Sequence, residues 1–259
     1  LAWSMDKIGP MARSAEDCGW VLQAIAGYDS RDSSSVRRAF VFQRRPRRDY
    51  RLGVLPLDYK DVPGGAETER AFNEAVRVLR SAGLKISRAE WPDYPYSEIA
   101  RTILGAEIAG AHEEFIKSER LNELVDDGQK EGLRRYLTLT AADLARAEKE
   151  RVEATRAILG LLERFDALLA PSLIGEAVTL DTNLSTRFGR ARGSSVLGAL
   201  AAVPALSVPM GLGATGLPLG LSITGNLFDE SSILQIGMIY QRETDWHRRK
   251  PLIHPQLPV

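Results

Sequence analysis

One cysteine and three histidines are all the thiol and imidazole in this 259-residue chain. A lone Cys18 can close no intramolecular disulfide and build no cysteine-rich zinc site, and its place on the apolar side of a helical pattern marks a buried thiol. His112, His247 and His254 are scattered without ligand spacing, so no metal centre is expected. An excess of one charge is missing too: 34 Lys and Arg balance 34 Asp and Glu, leaving no net field to gather nucleic acid or anionic lipid. No apolar run approaches the roughly 18 residues of a membrane span, and no basic leader with an apolar core opens the chain. A cytoplasmic protein with no cofactor and neither membrane nor nucleic-acid partners is the expectation.

What is present is an ordinary globular composition, 44% hydrophobic and 26% charged, enough to bury a core. Charge does cluster locally at Arg44, Arg45, Arg47, Arg48 and Arg51, around Pro46. No aromatic stacking pattern accompanies the run, so it reads as a solvated loop feeding a strand, with an anionic ligand or an interdomain contact as the alternative.

Hydrophobic periodicity supplies the elements. Ser14 and Asp17 have capping-box spacing ahead of a helix to about Ile25, with Cys18, Val21, Leu22 and Ile25 on one side. Residues 51–55 are a strand stopped by Pro56. Thr68 to Ser81 carries Phe72, Ala75, Val76 and Leu79 at helical spacing, then Gly83 and a strand from Leu84 to Ile86. Residues 97–165 are mostly helical. Thr140 and Asp143 cap a helix whose inner face holds Leu144, Val152, Leu159 and Leu162, and whose outer face holds Arg146, Glu148, Lys149, Glu150, Arg151 and Glu153. Strands follow at 165–170, 205–210 and 219–224, and Asp229 caps a last helix with Ile233, Ile236, Ile239 and Tyr240 inward. Strands alternating with helices define an α/β class, in one unit over residues 1–259.

A search for a nucleophile finds little. Gly193-Ser194-Ser195 has the small residues that leave room for substrate, and Ser33, Ser34 and Ser35 form a second cluster; both compositions also make plain loops. Nothing in the spacing brings His112, His247 or His254 to a serine. No GxSxG elbow, phosphate loop or dinucleotide fingerprint occurs.

Several stretches together resemble the amidase signature family, serine hydrolases with a Ser-Ser-Lys triad. SMDKIGPMARSAED at Ser4 to Asp17 is similar to the family's Ser-Leu-Asp, Gly-Pro, Ala-Arg-Thr segment. RLGVLP at 51–56, AFNEAVRVLRSAGLKI at 71–86 and FDALLAPS at 165–172 follow its strand and helix order. VPALSVPMG at 203–211, GLPLGLSITG at 216–225, then FDE and DWHRR, look like its C-terminal half.

The resemblance implies a mixed β-sheet flanked by helices in an incomplete amidase-type fold, and a carboxamide C–N hydrolase whose lysine and two serines lie upstream of Leu1. It therefore implies no catalytic, cofactor-binding or metal-binding residue within 1–259, and an inactive chain. Ser4 and Lys7 belong to a segment downstream of the family's nucleophile and are not assigned to the triad. The family's Asn-x-x-Gly-x-Pro-Ala is altered, with Leu200 and Val203 read at the Asn and Gly positions. The expected partners are a small amide substrate in an intact parent, together with an N-terminal portion or a second copy of this chain. The alternatives are a non-catalytic amidase-like binding or scaffold protein, or part of the A subunit of an aminoacyl-tRNA amidotransferase.

Overall fold

The computed structural model describes residues 2–47, 49–182 and 195–250. In chain order the elements are α1 (Ala15–Ile25), β1 (Arg51–Val54), α2 (Gly65–Ser81), β2 (Lys85–Arg88), α3 (Tyr96–Lys117), α4 (Asp127–Tyr136), α5 (Ala141–Arg164), β3 (Ala167–Pro171), α6 (Ser195–Ala201), β4 (Ala205–Leu212), β5 (Pro218–Gly225) and α7 (Glu230–Arg242). The strands form one mixed sheet in the order β2-β1-β3-β5-β4. β1 is parallel to both β2 and β3, while β5 is antiparallel to β3 and β4. This is the α/β class read from the residue pattern and the flanked mixed sheet implied by the family resemblance.

Alternation along the strands sends side chains to two faces. Leu52, Ala167, Leu169, Leu221, Ile223, Val208 and Met210 pack against Phe72, Ala75, Val76 and Leu79 of α2 and Ile233, Ile236 and Tyr240 of α7. Helix α7 comes close enough to β4 that a Cβ at Gly237 would sit 2.5 Å from the Leu206 side chain. On the other face Leu168 and Ala170 pack under α3, α5 and α6, with Ile99, Ile103, Ile158, Leu162, Leu197 and Leu200.

The caps hold as read. Ser14 accepts from Asp17 N at 3.0 Å, Thr140 and Asp143 complete a reciprocal box, and Asp229 accepts from Ser232 N. Two faces differ from their expected composition. In α1, Ala15, Cys18 and Gly19 are buried while Val21 and Ile25 stay exposed, because the helix leans on α7 and Phe42 through its small residues. In α5 the packed stripe is Ala147, Ala154, Ile158, Leu161 and Leu162, with Val152 half exposed, because alanines let α5 lie close to α3 and α6. Among the described residues no helix is long and apolar enough to cross a membrane.

Candidate active site

The connections leaving β1 and β3 diverge. After β1 the chain enters α2 on the Leu169 face; after β3 it reaches α6 on the Leu168 face. Neighbouring parallel strands whose connections part in this way leave a crevice beyond their carboxyl ends, the usual ligand position in open α/β sheets. Here its rims are loop 55–64 and segment 172–176. Thr68 Oγ1 ties the two together, accepting from Gly175 N at 2.8 Å and donating to Gly64 O at 2.7 Å. Gly64, at φ 74°, passes so close that a Cβ would lie 2.7 Å from Gly175 Cα. Tyr59 sends a buried hydroxyl into this rim with no hydrogen-bond partner among the described residues, and burial, followed by the charge of Glu69, raises its pKa.

Glu176 fastens the same rim to the β4–β5 hairpin. Its carboxylate accepts from Thr215 N and Leu217 N at 2.9 to 3.1 Å. Desolvation pushes its pKa up, but the backbone donors outweigh it and hold the carboxyl below its ordinary value.

Beside the crevice the strand register assembles hydroxyls on one face. Ser222 lies between Ala170 and Ser207, and Thr224 between Leu168 and Ala205. Ser172, just past β3, donates its N–H to Gly220 O at 2.7 Å and places its hydroxyl 2.7 Å from that of Ser207. Glycine at 220 is required by this approach: a Cβ there would stand 2.8 Å from Ser172 Oγ and 3.1 Å from Ser207 Oγ.

The first residues close the α6 end of this face. Arg151, whose side chain is only 14% exposed, donates to Ser4 Oγ and Ser4 O at 2.8 Å and to Leu200 O at 3.0 Å. It is therefore turned inward, unlike the other charges expected on the solvated face of α5. Glu107 accepts from Ser4 N, and Lys7 Nζ donates to Gly198 O and to Val203 O. Two cations thus satisfy carbonyls at the C-terminal end of α6. Desolvation of its ammonium, then repulsion by Arg151, lowers the pKa of Lys7 to about 8.

Between α6 and β4, Ala202 adopts φ 53°, the left-handed region that favours glycine. This corrects the sequence reading of the altered motif. Two residues before Pro204-Ala205 the Gly position of Gly-x-Pro-Ala is Ala202, and the Asn position is Ala199, rather than Val203 and Leu200. Val203 and Leu200 are core residues, 0% and 1% exposed.

No catalytic, cofactor or metal residue was assigned from sequence, and the residues weighed there stay apart. Ser34 and Ser35 bond within their own turn, to Asp32 and Asp29. Gly193 and Ser194 lie outside the described residues, as does the side chain of Ser195. His112 sits at a kink in α3, and His254 is outside the described residues. His247 keeps a buried Nδ1 with no partner among the described residues, its pKa lowered by burial and then by neighbouring arginines. Cys18 is a buried free thiol raised in pKa chiefly by desolvation. Of the arginine run, Arg44 pairs with Glu16, and Arg47 and Arg51 with Asp166, all three arginines remaining more than half exposed. Among the described residues no group of three His, Cys, Asp or Glu converges to hold a metal ion. The hydroxyl face was missed because its members come from three strands and each alone is an ordinary serine or threonine.

An open mixed sheet covered by helices, with hydroxyls on one face of β4 and β5, defines a protein of the α/β class. The Amidase family model matches residues 1–234, and the chain belongs to that family. The A subunit of the glutamyl-tRNA(Gln) amidotransferase of Gluconobacter oxydans is 30% identical over 282 residues, covering 98% of this chain and 57% of that protein. The protein of the same description from Archaeoglobus fulgidus is 29% identical, covering 90% of this chain and 55% of its own length. Among solved structures, a bacterial aryl acylamidase of the amidase signature enzymes superposes with a TM-score of 0.80 at 20% identity, over 93% of this chain and 53% of that one. The chain thus spans somewhat over half the length of these relatives.

Proposed function

We propose that this chain is the substrate-side portion of an enzyme that cleaves carboxamide C–N bonds, of the kind represented by the A subunit of glutamyl-tRNA(Gln) amidotransferase. The observation that carries the reading is the family match over residues 1–234, joined to the description shared by its curated relatives. In this reading the nucleophilic serine, the bridging serine and the lysine base that the family resemblance implies are supplied from outside residues 1–259. Ser4 and Lys7 do not substitute for them: the Ser4 hydroxyl is held by Arg151, and the Lys7 ammonium by backbone carbonyls. Acylation needs an activated nucleophile and donors for the oxyanion, and no such pairing forms among the described residues.

Two surface features support a missing complement and an amidase fold that is incomplete in this chain. Trp3, Ile8 and Met11 are 77%, 96% and 99% exposed, an unusual display for large apolar side chains close together in sequence. β4 is an outer strand of the sheet, as β2 is at the opposite edge, and an outer strand presents one side to further pairing. The same features would serve a non-catalytic binding protein, and tRNA in the relatives' description removes the ground for excluding nucleic acid in an intact assembly. The cytoplasm is the compartment proposed, in keeping with a free thiol and no disulfide.

The test is a fusion of residues 1–259 behind the triad-bearing N-terminal portion of the Gluconobacter oxydans relative, assayed for ammonia release from glutamine and succinamide and for arylamine release from an anilide. The fusion is expected to turn over at least one of these, and residues 1–259 alone none. A folded but inactive fusion would favour the binding-protein reading, and turnover by the isolated chain would overturn the assignment of the nucleophile elsewhere.

A further inference from the structure

Between α1 and β1 the chain runs through 25 residues, 26–50, with no helix or strand among those described. Segments of more than about 15 residues without regular structure are uncommon in a compact domain and usually carry a function. Residues 26–51 also concentrate eight arginines against three aspartates and no lysine, in a chain whose net charge is zero. Packing nevertheless fixes this segment as a strap across α1 and α7. The Phe42 ring is 6% exposed among Cys18, Leu234 and Met238, and Gly19 makes room for it, since a Cβ there would lie 2.4 Å from the ring. Phe42 N donates to Gln23 Oε1 at 2.8 Å, and the buried Gln235 side chain donates to Gln43 O at 2.7 Å.

While the strap is anchored inward, its described arginines stay outside. Arg31, Arg44, Arg47 and Arg51 pair with Asp29, Glu16 and Asp166 and are all more than half exposed. Arg37, Arg38 and Arg45 are exposed and form no ion pair among the described residues. Two of these three rest on rings: Arg37 lies 4.4 Å from the centroid of Tyr28 and Arg38 4.8 Å from that of Phe228, and both rings are themselves partly exposed. A guanidinium stacked by one face keeps its N–H edge for a phosphate and its other face for a base.

We propose that residues 37–47 bind the phosphodiester backbone of single-stranded nucleic acid, with Arg37, Arg38 and Arg45 as the principal phosphate contacts. Cations along a fixed strap, with aromatic and guanidinium planes beside them, match a strand whose bases are unpaired. Reading the grooves of a duplex takes a helix or a β-ribbon, and an anionic membrane calls for an amphipathic helix; the strap supplies neither. The zero net charge of the whole chain does not oppose this, because at ordinary salt only charges within about 10 Å set the local field. The proposal does not rest on the amide-cleaving reading.

The test is fluorescence anisotropy of labelled oligo(U) and oligo(dT), each of about 12 nucleotides, with residues 1–259 at low salt. Saturable binding that weakens with salt is expected. Arg37→Gln/Arg38→Gln/Arg45→Gln should lose about tenfold in affinity, and the slope of log K against log salt should fall by about 2, the value for three phosphates on a single strand. Arg80→Gln/Arg135→Gln/Arg146→Gln removes the same charge from exposed positions on α2, α4 and α5 and should stay within about twofold of the parent. Arg37→Lys/Arg38→Lys keeps the charge and gives up the planar stack, for an expected loss of about threefold; it reads the same contacts should the glutamine variant not fold. Equal affinity for the two oligonucleotides supports backbone contacts common to both, and a preference for oligo(U) supports RNA as the source of the strand. No saturable binding, or equal losses in the two glutamine variants, would overturn the proposal. So would loss of binding to phosphatidylserine vesicles in the strap variant with oligonucleotide affinity unchanged. All of these outcomes leave the amide-cleaving reading where turnover by the fusion places it.

Discussion

The two faces of one sheet are finished in different ways. Toward α2 and α7, Leu52, Leu169, Leu221 and Ile223 are all 0% exposed, and aliphatic branches interlock without polar interruption. Toward the other side, α3, α5 and α6 cover β1 and β3, but at the β4–β5 end Ala205 and Ser207 are exposed and hydroxyls replace aliphatics. Among the first dozen residues Trp3, Ile8 and Met11 are exposed, although Ala2 and Met5 of the same segment are buried in the core and Ser4 and Lys7 are hydrogen bonded to the fold. The first face is closed by aliphatic packing, and the second leaves Ala205 and Ser207 of β4 open to solvent.

The sharpest way to break that comparison is to cut into each side in turn. Leu169→Ala removes a fully buried side chain between the sheet and two helices, and such cavities cost about 2 to 5 kcal/mol; chemical denaturation should show a loss of about 3 kcal/mol. Met11→Ser, at a 99% exposed position, should change stability by less than about 0.5 kcal/mol and lower self-association seen by light scattering. Comparable losses at both sites would mean that Met11 is covered in solution.

Arg151→Ala comes next in size. It removes the guanidinium that joins Ser4 to Leu200 O, taking the arginine donor from Ser4 O and leaving Leu200 O the longer bond from Thr155 Oγ1 at 3.4 Å. A loss of about 2 kcal/mol is expected, together with faster tryptic cleavage after Lys7 as the first segment comes away. Unchanged cleavage would show that packing of Ala2 and Met5, and not the clamp, holds that segment.

Which of these features the sequence disclosed follows from their physics. The α2 stripe was legible because Phe72, Ala75, Val76 and Leu79 are large enough to mark a 3.6-residue period. The α5 stripe was misjudged at Val152 because alanine carries little hydrophobic signal, although close helix contact selects it. Arg151 was read as solvated because charge alternation cannot tell which cation turns inward. The crevice needs the relative placement of β1 and β3, and the hydroxyl face needs strand register; neither is a local property of the chain. The family resemblance supplied what periodicity could not, although one miscount moved the glycine position from Ala202 to Val203.

Ala202→Gly sharpens the point with a gain in place of a loss. An alanine at φ 53° bears a left-handed strain of about 1 to 2 kcal/mol, partly offset by the greater freedom glycine brings to the unfolded chain. A net stabilisation of about 0.5 kcal/mol is expected, and destabilisation would mean that the α6–β4 turn relaxes out of this conformation.

The smallest effect is expected at Lys7, whose stem is exposed while its ammonium is tucked beneath α6. Its folded pKa of about 8 lies below the ordinary lysine value of about 10.4. Below pH 8 both folded and unfolded chains hold the proton, so the group adds no slope. Between the two values the unfolded chain keeps a proton that the folded chain has released, and stability contributed by this group rises with pH. Tyr59, Tyr96, Tyr240 and Cys18, all raised by burial, slope the opposite way at high pH, so the informative quantity is the difference between the parent and Lys7→Met. From about pH 7.5 to about pH 9.5 the parent should gain stability relative to that variant. A flat difference would mean that the carbonyls of Gly198 and Val203 keep the ammonium charged, and that the α6 end of the open face is closed by a cation at every pH at which the chain folds.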